Sequence, residues 1–102
     1  MIVGVVYPAK QPAESFTVGI DFARWLDVGE TVSLTDASSR NDRTEADTTG
    51  SFLSGGGVAD GTQGRVRVVG GLTGERHVVQ IRVSTSQGNV YEAELIVPVR
   101  ER

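Results

Sequence analysis

The chain holds no cysteine, one histidine, one tryptophan, one methionine and three prolines in 102 residues. Each scarcity excludes something. Without cysteine there is no disulfide framework and no thiolate metal site, which suits folding in a reducing cytosol. With His77 as the single histidine, a multi-histidine zinc centre is ruled out. The opening Met1-Ile2-Val3-Gly4-Val5-Val6-Tyr7 lacks the basic start and long apolar run of a signal peptide. No stretch approaches the ~20 apolar residues of a membrane helix, so a soluble protein without membrane contact is expected. Concentrated positive charge is missing too. Ten basic residues face thirteen acidic ones, and the nine arginines are scattered from Arg24 to Arg102. A nucleic-acid binder gathers cations on one face to neutralise phosphates, so no nucleic-acid partner is expected.

Helix signals are nearly absent, and thirteen glycines with many Val, Thr and Ser favour strands and turns. Alternation with period two recurs along the chain. Phe16, Val18, Ile20 and Phe22 fall on one face, with Ser15, Thr17, Gly19 and Asp21 on the other. Val32 and Leu34 repeat the pattern, as do Val66 and Val68, then Val79, Ile81 and Val83. Tyr91, Ala93, Leu95, Val97 and Val99 close it, against outward Glu92, Glu94 and Arg100. With the Ile2–Tyr7 run this gives six strands, and a weaker seventh is expected within Thr44–Leu53. The expected fold is all-β: an immunoglobulin-like antiparallel β-sandwich of about seven strands, forming one domain over residues 1–102. Two separate domains would each be too small for a good core.

The turns are legible. Ser86-Gln87-Gly88-Asn89 should close a hairpin with Gly88 at positive φ. Gly70-Gly71-Leu72-Thr73-Gly74 should connect the strands at Arg65–Val69 and Glu75–Thr85. Pro8 and Pro12 end the first strand near Tyr7, and Pro98 belongs at an edge or an outward-facing backbone site. From Ala37 to Gly64 polar residues and glycine dominate, with Phe52, Leu53 and Val58 as apolar anchors. Short strands and mobile loops are expected there. Such loops carry contact surfaces in many folds, and they are equally where a sandwich places long edge connections.

Candidate chemistry is sparse. A Ser-His-Asp arrangement would have to be built around His77, yet no serine sits in a Gly-x-Ser-x-Gly elbow. His77 shares the inward parity of Val79, so a buried or half-buried ring hydrogen-bonded to nearby backbone is expected. Asp36, Asp42, Glu45, Asp47 and Asp60 are oxygen donors, but their spacing is not that of a calcium loop and Arg40 and Arg43 lie among them. Glu92 and Glu94 share one outer face and form no opposed acid pair. Gly55-Gly56-Gly57 and Gly70-Gly71-x-x-Gly74 lack phosphate-loop spacing and read as turns. Trp25 is either an exposed anchor or a lid over one end of the sandwich with Leu26 pinned inward. No catalytic residue, metal ligand or cofactor is expected.

Two stretches resemble a known family. The first is Pro8-x-Lys10-x-Pro12-x-Glu14, then Ile20-Asp21-Phe22, Leu26 and Gly29-Glu30-Thr31-Val32. The second is Gly71-Leu72-Thr73-Gly74-Glu75-Arg76-His77-x-Val79, then Arg82-Val83-x-Thr85-Ser86-x-Gly88 and the last strand. In order and spacing they resemble small immunoglobulin-like virion proteins of tailed bacteriophages, the fibre–tail adaptor or head–tail-associated family. The two stretches cover about half the chain, and the middle resembles nothing. His77 departs from the family, where a tyrosine is usual and would tie its hydroxyl to backbone across a corner. The resemblance implies no catalytic residues. It implies a structural module bound to other phage virion proteins of tail, neck or capsid, repeated by virion symmetry, present in the virion and in the host cytoplasm during assembly. Strand edges and loops would make the contacts, with Met1–Tyr7 and Val90–Val99 as candidate edges. The alternative is a carbohydrate-binding or adhesive module on the particle surface.

Overall fold

The computed structural model describes residues 2–101, with side chains from Val6 onward. Seven strands follow in chain order: β1 (Ile2–Val6), β2 (Phe16–Asp21), β3 (Val32–Asn41), β4 (Leu53–Asp60), β5 (Gln63–Val68), β6 (Arg76–Thr85) and β7 (Val90–Pro98). A 3-10 turn (Ala23–Trp25) and a four-residue helix α1 (Thr49–Phe52) are the helical pieces among the described residues. The strands form two sheets, β1-β7-β6-β3 and β2-β5-β4. This is an all-β sandwich. The orders β2-β5-β4 and β3-β6-β7 follow the B-E-D and C-F-G strands of immunoglobulin domains. The first strand joins the β7 side.

Alternation places the core where the sequence put it. Val18, Val66 and Val68 from one sheet meet Val79, Ile81, Val83, Ala93, Leu95 and Val97 from the other, all buried. Phe22 closes one end and Phe52 the other. The hairpin at Ser86–Asn89 forms with Gly88 at φ 82°. Tyr7, just past β1, crosses to the second sheet. Its hydroxyl accepts from Gly19 N–H and donates to Gly19 C=O, both at 3.0 Å.

Several expectations need correction. The sandwich is not wholly antiparallel, because β1 runs parallel to β7. No hairpin joins those two strands, and nearly the whole chain lies between them, so no turn imposes opposite directions. For the same reason β7 is an inner strand, covered by β1 and β6, and Val90–Val99 offers no free edge. Pro98 is not at an edge but meets the other expectation, a backbone site facing outward from β6. It ends β7 beyond Ile96, where the β1 ladder stops, so its missing N–H breaks no rung. Its carbonyl accepts from Lys10 N–H at 2.8 Å.

The polar middle is more regular than expected. β3 runs on to Asn41, because a bulge between Leu34 and Asp36 reverses the alternation and turns Ala37 and Ser39 inward. The seventh strand lies at Leu53–Asp60 rather than within Thr44–Leu53. Gly55-Gly56-Gly57 is not a turn between strands but a bulge inside β4. There β4 advances four residues while β5 advances two. Gly57, at φ +83°, sits so close to β5 that a Cβ would lie 2.8 Å from the Arg65 carbonyl.

Candidate functional site

One end of the sandwich is built around Phe52, which is 1 % exposed. The His77 ring stacks on it with centroids 3.9 Å apart and planes 7° from parallel. His77 is buried, as its parity required, but it bonds side chains rather than backbone. Nε2 lies 3.0 Å from Glu75 Oε1 and Nδ1 3.1 Å from Thr48 Oγ1. A carboxylate only accepts, so in a neutral ring Nε2 carries the proton and Nδ1 accepts from Thr48. Thr48 Oγ1 then accepts from Ser39 Oγ at 2.7 Å. Glu75 Oε1 also accepts from Leu72 N–H at 2.7 Å. The corner bond that a tyrosine hydroxyl would make to backbone is thus made through Glu75.

A hydroxyl, an imidazole and a carboxylate do stand in line here, as a triad would. Their bonds are already committed to holding α1, β3 and the β5–β6 connection together. Ser39 and His77 are 4 % and 2 % exposed. The arrangement latches the fold.

Lys10 completes this end. It is fully buried, and Nζ donates to the carbonyls of Gly70 (2.6 Å), Gln11 (2.9 Å) and Pro12 (3.4 Å). Its Nζ lies 6.0 Å from the Phe52 centroid. Burial draws its pKa below the ordinary lysine value, and the nearby Glu14 charge opposes that shift.

Three turns share one device. In Gln11–Glu14, Asp27–Glu30 and Leu72–Glu75, the first residue's C=O accepts from the glutamate N–H. The glutamate carboxylate in return accepts from the first residue's N–H, at 2.7, 2.8 and 2.7 Å. Gly29 and Gly74 supply the positive φ that two of these turns need, at 84° and 93°. Sequence reasoning missed the device. Its signal was a glutamate closing Gln-Pro-Ala-Glu, Asp-Val-Gly-Glu and Leu-Thr-Gly-Glu.

These bonds set an acid sensitivity. The Thr85 hydroxyl, then Asp27 N–H and Asn89, hold Glu30 below its usual pKa of 4.5, against opposing burial. Leu72 N–H, then the His77 ring, do the same for Glu75. Asp21 and Asp47 are lowered as well, foremost by the hydroxyls of Thr62 and Thr49. A folded pKa below the unfolded one gives stability that is complete above the unfolded value and lost as pH falls through the folded value. The melting temperature should therefore be level from neutrality to about pH 5 and fall progressively below it. Glu30→Gln should flatten part of that fall. A melting temperature unchanged down to about pH 3 would contradict this assignment.

The remaining acids are spread over the surface. Asp42 faces Arg76 at 3.9 Å, Glu45 pairs with Arg40 at 3.0 Å and Asp60 with Arg65 at 3.0 Å. Asp36 lies opposite Arg82 in the β3–β6 ladder. Glu92 bonds Arg82 and Gln80, and Glu94 bonds Arg40. Among the described residues no group of three or more His, Asp or Glu is placed to hold a metal ion.

The opposite end gathers the β2–β3 connection, the β4–β5 turn and the β6–β7 hairpin. Val32 N–H donates to Gly61 C=O, and Ser86 N–H to Thr31 C=O, each at 2.9 Å. Asn89 donates to the buried Glu30 at 3.2 Å, and the Tyr91 hydroxyl to Trp25 C=O at 3.2 Å. On this pinned framework the apolar side chains face water. Val28 is 106 % exposed, Val90 61 % and Trp25 37 %. Trp25 touches Phe22 edge-on and carries Arg24 over its ring, while Leu26 is half-buried against the core. Leu26 thus pins the segment as the lid reading expects, while the Trp25 ring stays partly accessible.

No curated protein matches the chain. A family model described as podophage GP4 fiber-tail adaptor protein gp77 matches residues 10–98. The match opens at the buried Lys10 and ends at Pro98, spanning both ends of the sandwich and its polar middle. The chain therefore belongs to the podophage GP4 fiber-tail adaptor family, a family of structural phage tail proteins.

Proposed function

We propose that this chain is one immunoglobulin-like domain that joins virion proteins of the phage tail, without catalysis, through its β2–β3, β4–β5 and β6–β7 loops. One observation carries the reading: Trp25 and Val28 on the β2–β3 connection and Val90 at the start of β7 stand exposed at an end of the sandwich whose connections are already tied together by hydrogen bonds. Rigid loops lose little entropy on docking, and tryptophan is enriched among residues that dominate interfaces. The partners are proteins rather than nucleic acid or membrane. Arg40, Arg65, Arg76 and Arg82 are each engaged by a carboxylate, and thirteen acidic residues outnumber ten basic ones, a balance that disfavours binding to phosphates. Copies repeated by the particle's symmetry would multiply a modest single contact. Assembly takes place in the host cytoplasm, where a cysteine-free chain needs no oxidation. A glycan-stacking role has less support, since Tyr7, Phe16 and Tyr91 pack against the core and leave Trp25 as the exposed ring.

Val28→Asp and Trp25→Ala test this. Each should weaken binding to the tail partner by roughly 30-fold or more, about 2 kcal/mol. Unfolding free energy should stay within about 0.5 kcal/mol for Val28→Asp, whose side chain packs against nothing. Leu72→Asp, exposed at the other end, should bind normally. Particles that incorporate both loop variants at full occupancy would exclude this surface.

A further inference from the structure

β1 is attached differently from the other strands. It has one neighbour, β7, in parallel, and the pairing slips by a residue between Val3↔Glu94 and Val6↔Ile96. The fixed points of the fold begin after it. Tyr7 is held by its hydroxyl on Gly19, and Lys10 by its side chain and by main-chain bonds to Pro98 and Arg100. The family match also begins at Lys10, so β1 lies outside the shared region. Between the two anchors stands Pro8, whose locked φ makes a stiff pivot. The strand itself, Ile2-Val3-Gly4-Val5-Val6, carries no charge, and Val6 is 62 % exposed.

An arm that swings away at Pro8 takes Tyr7 with it, off Gly19 and off the Ile96 carbonyl, and uncovers the outer N–H and C=O groups of β7. The strand best matched to that edge, slip included, is the same strand of a second copy. It re-forms the pairs that the first copy gave up, and the Tyr7 that travels with it re-forms the bonds to Gly19 and Ile96 on the neighbour, so exchange costs little beyond repositioning the pivot. We propose that β1 is exchanged between copies, each copy's Ile2–Val6 completing the four-stranded sheet of its neighbour. The occupant is this chain's own arm, and the proposal is independent of the loop surface above.

The absence of cysteine makes the test direct. Val6 and Ile96 are register partners and neither is fully buried. Chains carrying Val6→Cys are concentrated and warmed with chains carrying Ile96→Cys, then oxidised and run without reductant. Exchange should give a disulfide-linked heterodimer roughly tenfold or more above the homodimer background of either variant alone, because a paired strand raises the effective thiol concentration. A heterodimer yield at background overturns the proposal. The double variant must also close the bond within or between chains; failure to do so would remove the pairing on which the proposal rests.

Discussion

Phe52→Ala should lower the unfolding free energy by about 4 kcal/mol. Removing a fully buried phenylalanine costs about 3–5 kcal/mol in transfer and cavity terms. The lost stack on His77 adds to this by about 0.5–1.5 kcal/mol. Relaxation around the void recovers part of the total. Small domains have only about 5–15 kcal/mol in hand, so the melting temperature should drop by roughly 15 °C or more. Phe52→Leu fills most of the space and should cost far less. Urea denaturation of both variants checks the pair. A loss under about 1.5 kcal/mol for Phe52→Ala would mean that this ring is not the centre of the latched end.

Lys10→Ala should cost about 3 kcal/mol, with Lys10→Met separating the causes. Two effects oppose one another. Burying an ammonium costs several kcal/mol, and removing it returns that cost. Its removal also strands the carbonyls of Gly70 and Gln11, at roughly 1–3 kcal/mol each when buried without a partner. Alanine loses the packed stem as well. The short bonds at 2.6 and 2.9 Å indicate that the polar side wins, so Lys10→Met should still lose about 1–2 kcal/mol. A methionine variant as stable as the wild type would show that the lysine contributes specificity of the turn rather than stability.

The contrast between these two residues marks what the sequence made legible. Phe52 stood out as an apolar anchor in a polar stretch, and β2, β6 and β7 followed from uninterrupted alternation. β3 was cut short in the reading because its bulge changes which parity faces inward, and a fixed count of two cannot register that. β4 was missed because its glycines carry no side chain to alternate. Lys10 and Glu30 carry charge, and alternation says nothing of their burial, yet both are buried. Only the backbone geometry shows carbonyls converging on one and amides on the other. Lys10, Glu14, Glu30, Glu75 and His77, which carried the family resemblance, are all internal fastenings. The exposed Trp25, Val28 and Val90 lie between or beside those motifs, so the resemblance named the frame before it named the contact surface. His77 illustrates both sides. Its inward parity was readable, whereas its partner Thr48 comes from a segment 29 residues away and Glu75 reaches it only through the turn that Glu75 itself locks.

The Tyr7 phenol on Gly19 bears on how many copies can be kept apart before they are needed. β2 is a rim strand, and its outward main-chain groups would ordinarily invite another ribbon to lie alongside. One aromatic oxygen satisfies both groups of Gly19 at the middle of that rim. An incoming chain would find its central rung already taken, so stacking along this side is blocked from within.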